Sequence, residues 1–485
     1  MTEDLQRNLV ILAPEIWLSG MALLLLLAGL FMRPRWGWVL MLLAVAVLGV
    51  AASLLGSVHW QEQTAMNGMF IDDGLSRYAK YLVLGSGMVA LLMAWPYLTA
   101  HKIAHFEYPV LALLAVAGMM LMVSANNLLS LYMGLELQNL ALYVLAAFNR
   151  DDRKSSEAGL KYFILGGLSS GLLLFGISLL YGASGVIDFA GLREFFTAQS
   201  AAAAPGAVVG LVFVLAALAF KVSAAPFHMW TPDVYEGAPT PVTGFFAAAP
   251  KIAALVLLAR VLYGPLHGLA SHWQPIMILL AVASMLLGSF GAIAQSNIKR
   301  LMGYSAIAHA GYALAGLATV SLDGVAGMLI YLTVYFLNVL GVFAVILALR
   351  RDGIAVEAMG DLAGLSRTRP LLAFAMALFM FSLAGVPPLA GFYGKFYVLM
   401  AAVRSGLYPL AVIGVLASAV AAYYYLRIVK LMYFDESQAP IDPVPEFNLR
   451  AIIGLASFYV VLFGFLPKPV IDLAQLAATG LFFRL

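Results

Sequence analysis

Three lysines and one glutamate lie inside long apolar runs of this sequence. They are Lys221 in LAALAFKVSAAPFHMW, Lys251 in FFAAAPKIAALVLLAR, Lys395 in LAGVPPLAGFYGKFYVL and Glu136 in SLYMGLELQNLALYVL. His228 and His309 lie in or beside such runs, and Glu15 lies near the start of the first. A charge placed at mid-membrane depth costs about 2.5–3.5 kcal/mol on insertion scales and marks function by default. A buried Lys can also neutralise a buried Glu and serve only as a clip between helices. Three lysines and one carboxylate do not cancel, and each lysine would cost less as Leu. Removal from water favours the neutral form of an ammonium, and a nearby carboxylate favours the charged form. Groups whose partners or hydration change can therefore release and capture protons, so the chemistry indicated is proton transfer. His228 and His309 read equally as hydrogen-bonded core residues and as relays. Lys161 and Arg260 lie closer to run ends, where they can snorkel to the headgroups. Glu15 is near enough to an interface to be solvated, and Tyr132 and the Tyr423–Tyr424–Tyr425 run read as packing.

Two of these runs are interrupted. Pro226 lacks the N–H that would bond the Val222 carbonyl, and Pro387 and Pro388 free the carbonyls of Leu383 and Ala384. Freed backbone at membrane depth is tolerated where it meets protein or water. Interrupted spans at matching places in two halves point to an ion path. Aligning Pro226 with Pro387 sets Ser382 opposite Lys221, so the second half moves its lysine to position 395. A repeat running from the fourth to the eighth span and again from the ninth to the thirteenth would be inverted in the membrane. Each interruption also reads as a simple packing kink.

The elements that position these groups are membrane helices. The chain has 485 residues, of which 63% are hydrophobic and 11% charged, against roughly 25% charged in a soluble domain. A span needs about 20 apolar residues. About fourteen are expected, centred near Ser19, Val47, Met88, Ala117, Tyr143, Leu172, Phe213, Ile252, Leu280, Ala310, Tyr335, Leu383, Val415 and Val460. The fold expected is an all-α polytopic membrane protein with two inverted five-helix repeats. Its parts are a three-span segment (1–105), a first half (106–265), a second half (266–433) and a C-terminal span (434–485). Continuous apolar runs exclude an outer-membrane barrel.

With an outer N-terminus, one side collects Arg33, Arg35, Lys102, Arg150, Arg153, Lys154, Lys299, Arg300, Arg350, Arg351, Arg367, Arg369, Arg427, Lys430 and Arg450. The other collects Arg7, Arg77, Lys80, Arg193, Arg404, Lys468 and Arg484. The first side is then cytoplasmic and both termini face out. Glu3 and Asp4 stand where a cleaved signal would be basic. The stretch Ser184 to Pro205 reads either as a short interfacial helix or as a polar loop. Asp233 and Glu236, in the WTPDVYEGAPTPV link, read as solvated near the surface.

Several functions fall away. There is no cysteine, hence no thiolate-bound iron–sulfur cluster. A net charge of +3 is too small and dispersed for a nucleic-acid face. No phosphate-binding loop precedes a GK[ST], and no bis-histidine spacing within one span suits haem.

FKVSAAPFHMWTPDVYEGAPTPVTGFFAAAPKIA, with GLELQNL before it and LAGVPPLAGFYGKF after it, resembles the antiporter-like membrane subunits of NADH–quinone oxidoreductase, respiratory complex I. The resemblance covers nearly the whole chain. The GKF of the twelfth span fits the subunit N branch better than subunit M, which carries an acidic residue there. The resemblance implies that Glu136 and Lys221 form the charged pair of an input half-channel. It makes Lys251 the central lysine of a broken eighth span and Lys395 the terminal lysine of the output half, with His228 and His309 at relay positions. It implies a non-redox, proton-translocating subunit of a bacterial inner membrane. NADH, FMN, iron–sulfur clusters and quinone would be held by partner subunits, and the neighbours would be subunits M, K and J. A cation/proton antiporter subunit and a structural spacer are the alternatives, and a small-molecule carrier fits less well.

Overall fold

The bilayer core offers no water to satisfy a backbone amide or carbonyl, so a long apolar segment must bond within itself as a helix. The computed structural model describes residues 2–33, 36–57, 62–198, 205–436, 440–444 and 446–482, side chains excepted at 2, 3 and 57. Arg35, Arg484 and the Glu3 side chain, used above for orientation, lie outside the described residues, as do residues 199–204 of the Ser184 to Pro205 stretch.

The chain opens with α1 (Thr2–Ile11), α2 (Ala13–Phe31), α3 (Gly37–Ser57), a hairpin of β1 (Gln63–Ala65) and β2 (Phe70–Asp72), and α4 (Gly74–Ala100). There follow α5 (Glu107–Val123), α6 (Leu128–Ala146), α7 (Arg153–Ser184), α8 (Phe189–Ala198), α9 (Pro205–Val222), α10 (Thr231–Gly237) and α11 (Thr240–Tyr263). Next come α12 (Ala270–Ile293), α13 (Ile298–Leu317), α14 (Leu322–Ala348), a hairpin of β3 (Arg350–Arg351) and β4 (Ile354–Ala355), α15 (Leu365–Thr368), α16 (Pro370–Ala384), α17 (Ala390–Arg404) and α18 (Tyr408–Phe434). The described chain ends with α19 (Phe447–Phe465) and α20 (Lys468–Phe482).

Among the described residues, eleven helices are long and apolar enough to cross a membrane, and α5 and α16 are shorter apolar helices. Every expected span centre falls within a helix. Of the two readings of Ser184 to Pro205, the short helix is found as α8, which buries Phe189, Leu192 and Phe196. The terminal helices α1 and α20 were not anticipated. Helix α20, at 15 residues, is too short to read as a span, and it buries Ala474, Ala477, Ala478 and Leu481.

Helix α11 is buried along its whole length, as is nearly all of α14. A helix apolar all round has no face for solvent and becomes the core. The eighth span departs from the broken helix expected. It runs uninterrupted as α11 with Pro250 inside it, and the missing Pro250 N–H frees the Phe246 carbonyl without ending the helix.

A local motif recurs at a constant spacing of 170 residues. Leu128 N–H donates to the Ile187 carbonyl (3.0 Å), Phe189 N–H donates to that of Asn126 (3.1 Å), and Asn127 caps α6. Correspondingly, Ile298 N–H donates to Glu357 (2.9 Å), Met359 N–H to Ser296 (2.8 Å), and Asn297 caps α13. The helix crossings match too. A Cβ on Gly118 would lie 2.4 Å from the Gln138 nitrogen, and one on Gly288 would lie 2.4 Å from the Ala308 nitrogen. Only glycine permits either approach. In this register Glu136 corresponds to Ala306 and Asn139 to His309.

Buried ion pairs hold the N-terminal segment together, and one of them joins it to this core. Lys80 meets Glu15 at 2.7 Å, and Arg77 meets Asp72 at 2.6 Å. Arg260 of α11 donates twice to Asp73 (2.9 and 2.7 Å) and once to the Val123 carbonyl (3.0 Å). Asp73 also caps α4 through a capping box with Ser76. Two expectations are corrected here. Glu15 is 3% exposed rather than solvated, because Lys80 supplies its counter-charge. Arg260 does not snorkel, because Asp73 meets its guanidinium inside the protein.

Candidate proton-transfer site

The two proline-containing breaks deliver what their chemistry promises. Helix α9 stops at Val222 and α10 begins at Thr231; α16 stops at Ala384 and α17 begins at Ala390. The carbonyls left without helical partners accept from lysines. Lys251 Nζ donates to the Val222 carbonyl at 3.5 Å and to the Ala306 carbonyl at 3.4 Å. Lys395 Nζ donates to the Ala384 carbonyl at 3.0 Å and to Ser418 Oγ at 2.9 Å. Lys221, the penultimate residue of α9, donates to Tyr143 Oη at 3.5 Å. All three are buried. Aromatic faces complete their surroundings, with Phe220 5.2 Å from Lys221 and Tyr312 5.1 Å from Lys395.

Among the described residues, no carboxylate lies within 4.0 Å of any of these three ammonium groups. Glu136 and Lys221 therefore form no direct ion pair. The Glu136 carboxylate accepts instead from the Ser170 hydroxyl in a short contact and from Asn139 Nδ2 at 3.1 Å. It is only partly buried, with exposed Met133 and Leu140 on the same helix. The Tyr143 hydroxyl beneath Lys221 fits because residue 166 is glycine, where a Cβ would lie 2.0 Å from that oxygen.

His309 is buried between the second and third lysines. Its Nδ1 shares a hydrogen bond with Tyr331 Oη (2.5 Å) and its Nε2 with Tyr425 Oη (3.0 Å). Tyr425 Oη in turn meets Ser305 Oγ at 2.6 Å. Both open readings of His309, a hydrogen-bonded core residue and a relay, fit these contacts. Tyr425 does more than pack, whereas Tyr423 is exposed. His228 lies in the first break, partly buried beside exposed Pro226 and Met229, and its Nδ1 has no partner in the chain. The structure does not bring it into hydrogen-bond contact with Lys221 or Lys251.

The short helix α10 between the first two lysines is pinned by charge. Asp233 meets Lys161 and Arg300, each at 2.6 Å, and Glu236 meets Lys154 at 2.9 Å and Arg300 at 3.2 Å. These carboxylates are part of a network and not freely solvated as expected. Burial pushes the Asp233 carboxyl up, but hydrogen bonds from Lys161 and Arg300 outweigh it and hold the group below its ordinary range. Glu236 is held low against burial in the same way by Lys154 and Arg300. Among the described residues, no three His, Asp or Glu side chains are grouped to hold a metal ion.

Tyr143, Ser170, Tyr331, Ser418 and Tyr425 were not singled out as site residues by their sequence. Hydroxyl side chains are common in membrane helices, where they also satisfy backbone carbonyls, so type alone does not mark them. The 170-residue register offers a signal for two of them, Tyr331 and Tyr425. It sets His309 against Asn139, the partner of Glu136, which directs attention to what His309 itself bonds.

Residues 125–421 match the family described as NADH:quinone oxidoreductase/Mrp antiporter, transmembrane. The chain is 55% identical to NADH-quinone oxidoreductase subunit N of Rhodospirillum rubrum over 97% of each chain. It is 52% identical to the subunit N of Paramagnetospirillum magneticum over 98% of each. Its fold superposes with a TM-score of 0.82 on a chain of respiratory complex I from Thermus thermophilus, at 32% identity, covering 95% of this chain and 99% of that one. It also matches a chain of the Mrp complex from Dietzia in fold, with a TM-score of 0.86 at 22% identity, covering 99% and 98%. The chain belongs to the NADH–quinone oxidoreductase subunit N family, the antiporter-like membrane subunits of respiratory complex I.

Proposed function

We propose that this chain moves protons across a bacterial inner membrane as one subunit of an NADH:quinone oxidoreductase, by a relay through Lys221, Lys251 and Lys395 with Glu136 as its trigger. The observation that carries the reading is the kind of partner each lysine has. Carbonyl and hydroxyl oxygens accept a hydrogen bond from an ammonium and from an amine alike. A carboxylate would hold the ammonium charged. These sites therefore keep a partner in either protonation state, as a carrier requires.

Glu136, at the partly exposed edge of α6, is placed to respond to a charge change in a neighbouring subunit. When it is drawn away, Lys221 loses electrostatic support and releases its proton towards Lys251. From there the proton crosses the Ser305–Tyr425–His309–Tyr331 network to Lys395 and leaves past Ser418. His228 stands at the flank of this line. Carrying one charge against 100 mV requires about 2.3 kcal/mol, which a roughly fiftyfold change in proton affinity supplies. The halves 106–265 and 266–433 form the two inverted arms of the path, and both termini lie on the outer side. The neighbours are subunits M, K and J, and the NADH, FMN, iron–sulfur and quinone sites reside in partner subunits.

The test is Lys221→Ala and Glu136→Gln in the assembled complex, measuring protons pumped per electron in vesicles. A lowered ratio in both, at normal assembly, is expected. An unchanged ratio in both discards the relay and leaves the spacer reading.

A further inference from the structure

The two breaks are built alike but differ at one residue. Each lysine-bound carbonyl, Val222 in the first break and Ala384 in the second, is followed by a residue in the left-handed region. In the second break that residue is Gly385 (φ 91°), and glycine is at ease there; in the first it is Ser223 (φ 65°). We propose that Ser223 is a positioning residue of the proton path, whose hydroxyl holds a water against the Lys251 ammonium on the route from Lys221. This role rests on the relay reading and adds the step between its first two lysines.

Ser223 is costly in two ways. Among the described residues, six that are not glycine have a positive φ, and of these Ser223 alone is buried. A side chain in this conformation is strained where glycine is not. Ser223 is also 0% exposed, and its Oγ has no hydrogen-bond partner in the chain. The large majority of buried polar side-chain atoms are hydrogen-bonded, to protein or to water. Glycine at 223 would remove both costs, as it does at 385. Strain and an orphan hydroxyl at one residue, two positions after Lys221, mark a functional position.

The second break shows where such a side chain points. A Cβ on Gly385 would lie 3.1 Å from Lys395 Cδ and 3.6 Å from its Nζ. A side chain at this place in a break therefore faces the lysine bound to the preceding carbonyl. Ser223 has the corresponding Cβ, beside the carbonyl that Lys251 binds. Lys251 has room for a further partner. Its two hydrogen bonds are long, 3.5 and 3.4 Å, where those of Lys395 are 3.0 and 2.9 Å, and an ammonium has three donors. Tyr235, whose ring lies 5.9 Å from Lys251 Nζ, carries another buried hydroxyl with no partner in the chain. A buried water needs about two to four polar partners, and Ser223, Lys251 and Tyr235 are the groups that offer them. The water takes the proton that Lys221 releases and passes one of its own to the Lys251 amine. Lys221 ends neutral and Lys251 charged, with water and serine unchanged.

The test is Ser223→Gly and Ser223→Ala in the assembled complex. The readouts are the thermal midpoint, the rate of NADH-driven proton pumping in vesicles and its solvent isotope effect. Ser223→Gly is expected to keep or raise the midpoint, because glycine relieves the left-handed backbone. It should still lower pumping about fivefold, the weight of one hydrogen bond, with a changed isotope effect. Ser223→Ala keeps the strain but removes the hydroxyl and should lower pumping to the same extent; it serves if the glycine variant fails to assemble. A serine that only shapes the turn would leave pumping and its isotope effect at wild-type values in whichever variant assembles, and that result would overturn the proposal. Lys221→Ala in the same vesicles keeps the two readings apart. Pumping lowered there but kept in the serine variants removes the water bridge and leaves the relay standing.

Discussion

Lys80 and Lys251 are buried to similar degrees, 1% and 4% exposed, yet they are held in opposite ways. Lys80 meets the Glu15 carboxylate at 2.7 Å in the N-terminal segment. Lys251, at the centre of the molecule, donates to the carbonyls of Val222 and Ala306 and, among the described residues, meets no carboxylate. The contrast extends to their neighbours. Asp72–Arg77 and Asp73–Arg260 are ion pairs, whereas Lys221 and Lys395 have hydroxyl and carbonyl partners. Burial alone does not separate a structural charge from one proposed to exchange protons; the nature of the partner does. An ion pair fixes protonation and joins segments, and neutral oxygens leave protonation free.

The largest effect should come from breaking a joint. Asp73→Asn leaves Arg260 buried without its counter-charge, a loss of about 3–5 kcal/mol, and Glu15→Gln does the same to Lys80. Both should deplete the assembled complex, measured by its amount and thermal midpoint in membranes. Asp73→Leu with Arg260→Leu should recover much of that loss, because replacing a buried pair with apolar groups is often neutral.

Next come the hydroxyl partners. Tyr331→Phe and Tyr425→Phe each remove one hydrogen bond of His309, at a stability cost of about 1 kcal/mol. Assembly should persist while pumping falls severalfold, with a changed solvent isotope effect. Ser418→Ala removes one of the two acceptors of Lys395 and should slow pumping more mildly, measured in the same vesicles.

The smallest effect belongs to the α10 network. Asp233 and Glu236 are held below their ordinary values. Their contribution is therefore complete above the usual carboxylate range and is lost as pH falls through the lower folded values. Asp233→Asn should flatten that acid limb of the thermal midpoint. Partial exposure limits each pair to about 0.2–1 kcal/mol.

The helices were legible because the bilayer forces one solution on any long apolar run. The three buried lysines were legible because a charge inside such a run is costly to insert and stands out against its neighbours. Pro226 and Pro388 even named their ligands, since the carbonyls of Val222 and Ala384 that they free are those that Lys251 and Lys395 bind. The break that the resemblance implied for the eighth span is absent, even with Pro250 inside it. Its neighbours pack α11 on every side, and tertiary burial holds the helix through the missing bond. Arg260 and Glu15 were misplaced because sequence gives depth along one helix but not the side chain that meets it. Asp73 is 187 residues from Arg260. Tyr331 and Tyr425 stayed hidden because the histidine that gives them meaning lies on another helix.

The lysine row is proposed to carry protons without holding the fold together. Lys251→Leu in the assembled complex tests it most directly, with the thermal midpoint and the protons pumped per electron measured on the same preparation. An unchanged or raised midpoint with a lowered pumping ratio is expected. A lowered midpoint with an unchanged pumping ratio in the complexes that survive would contradict it.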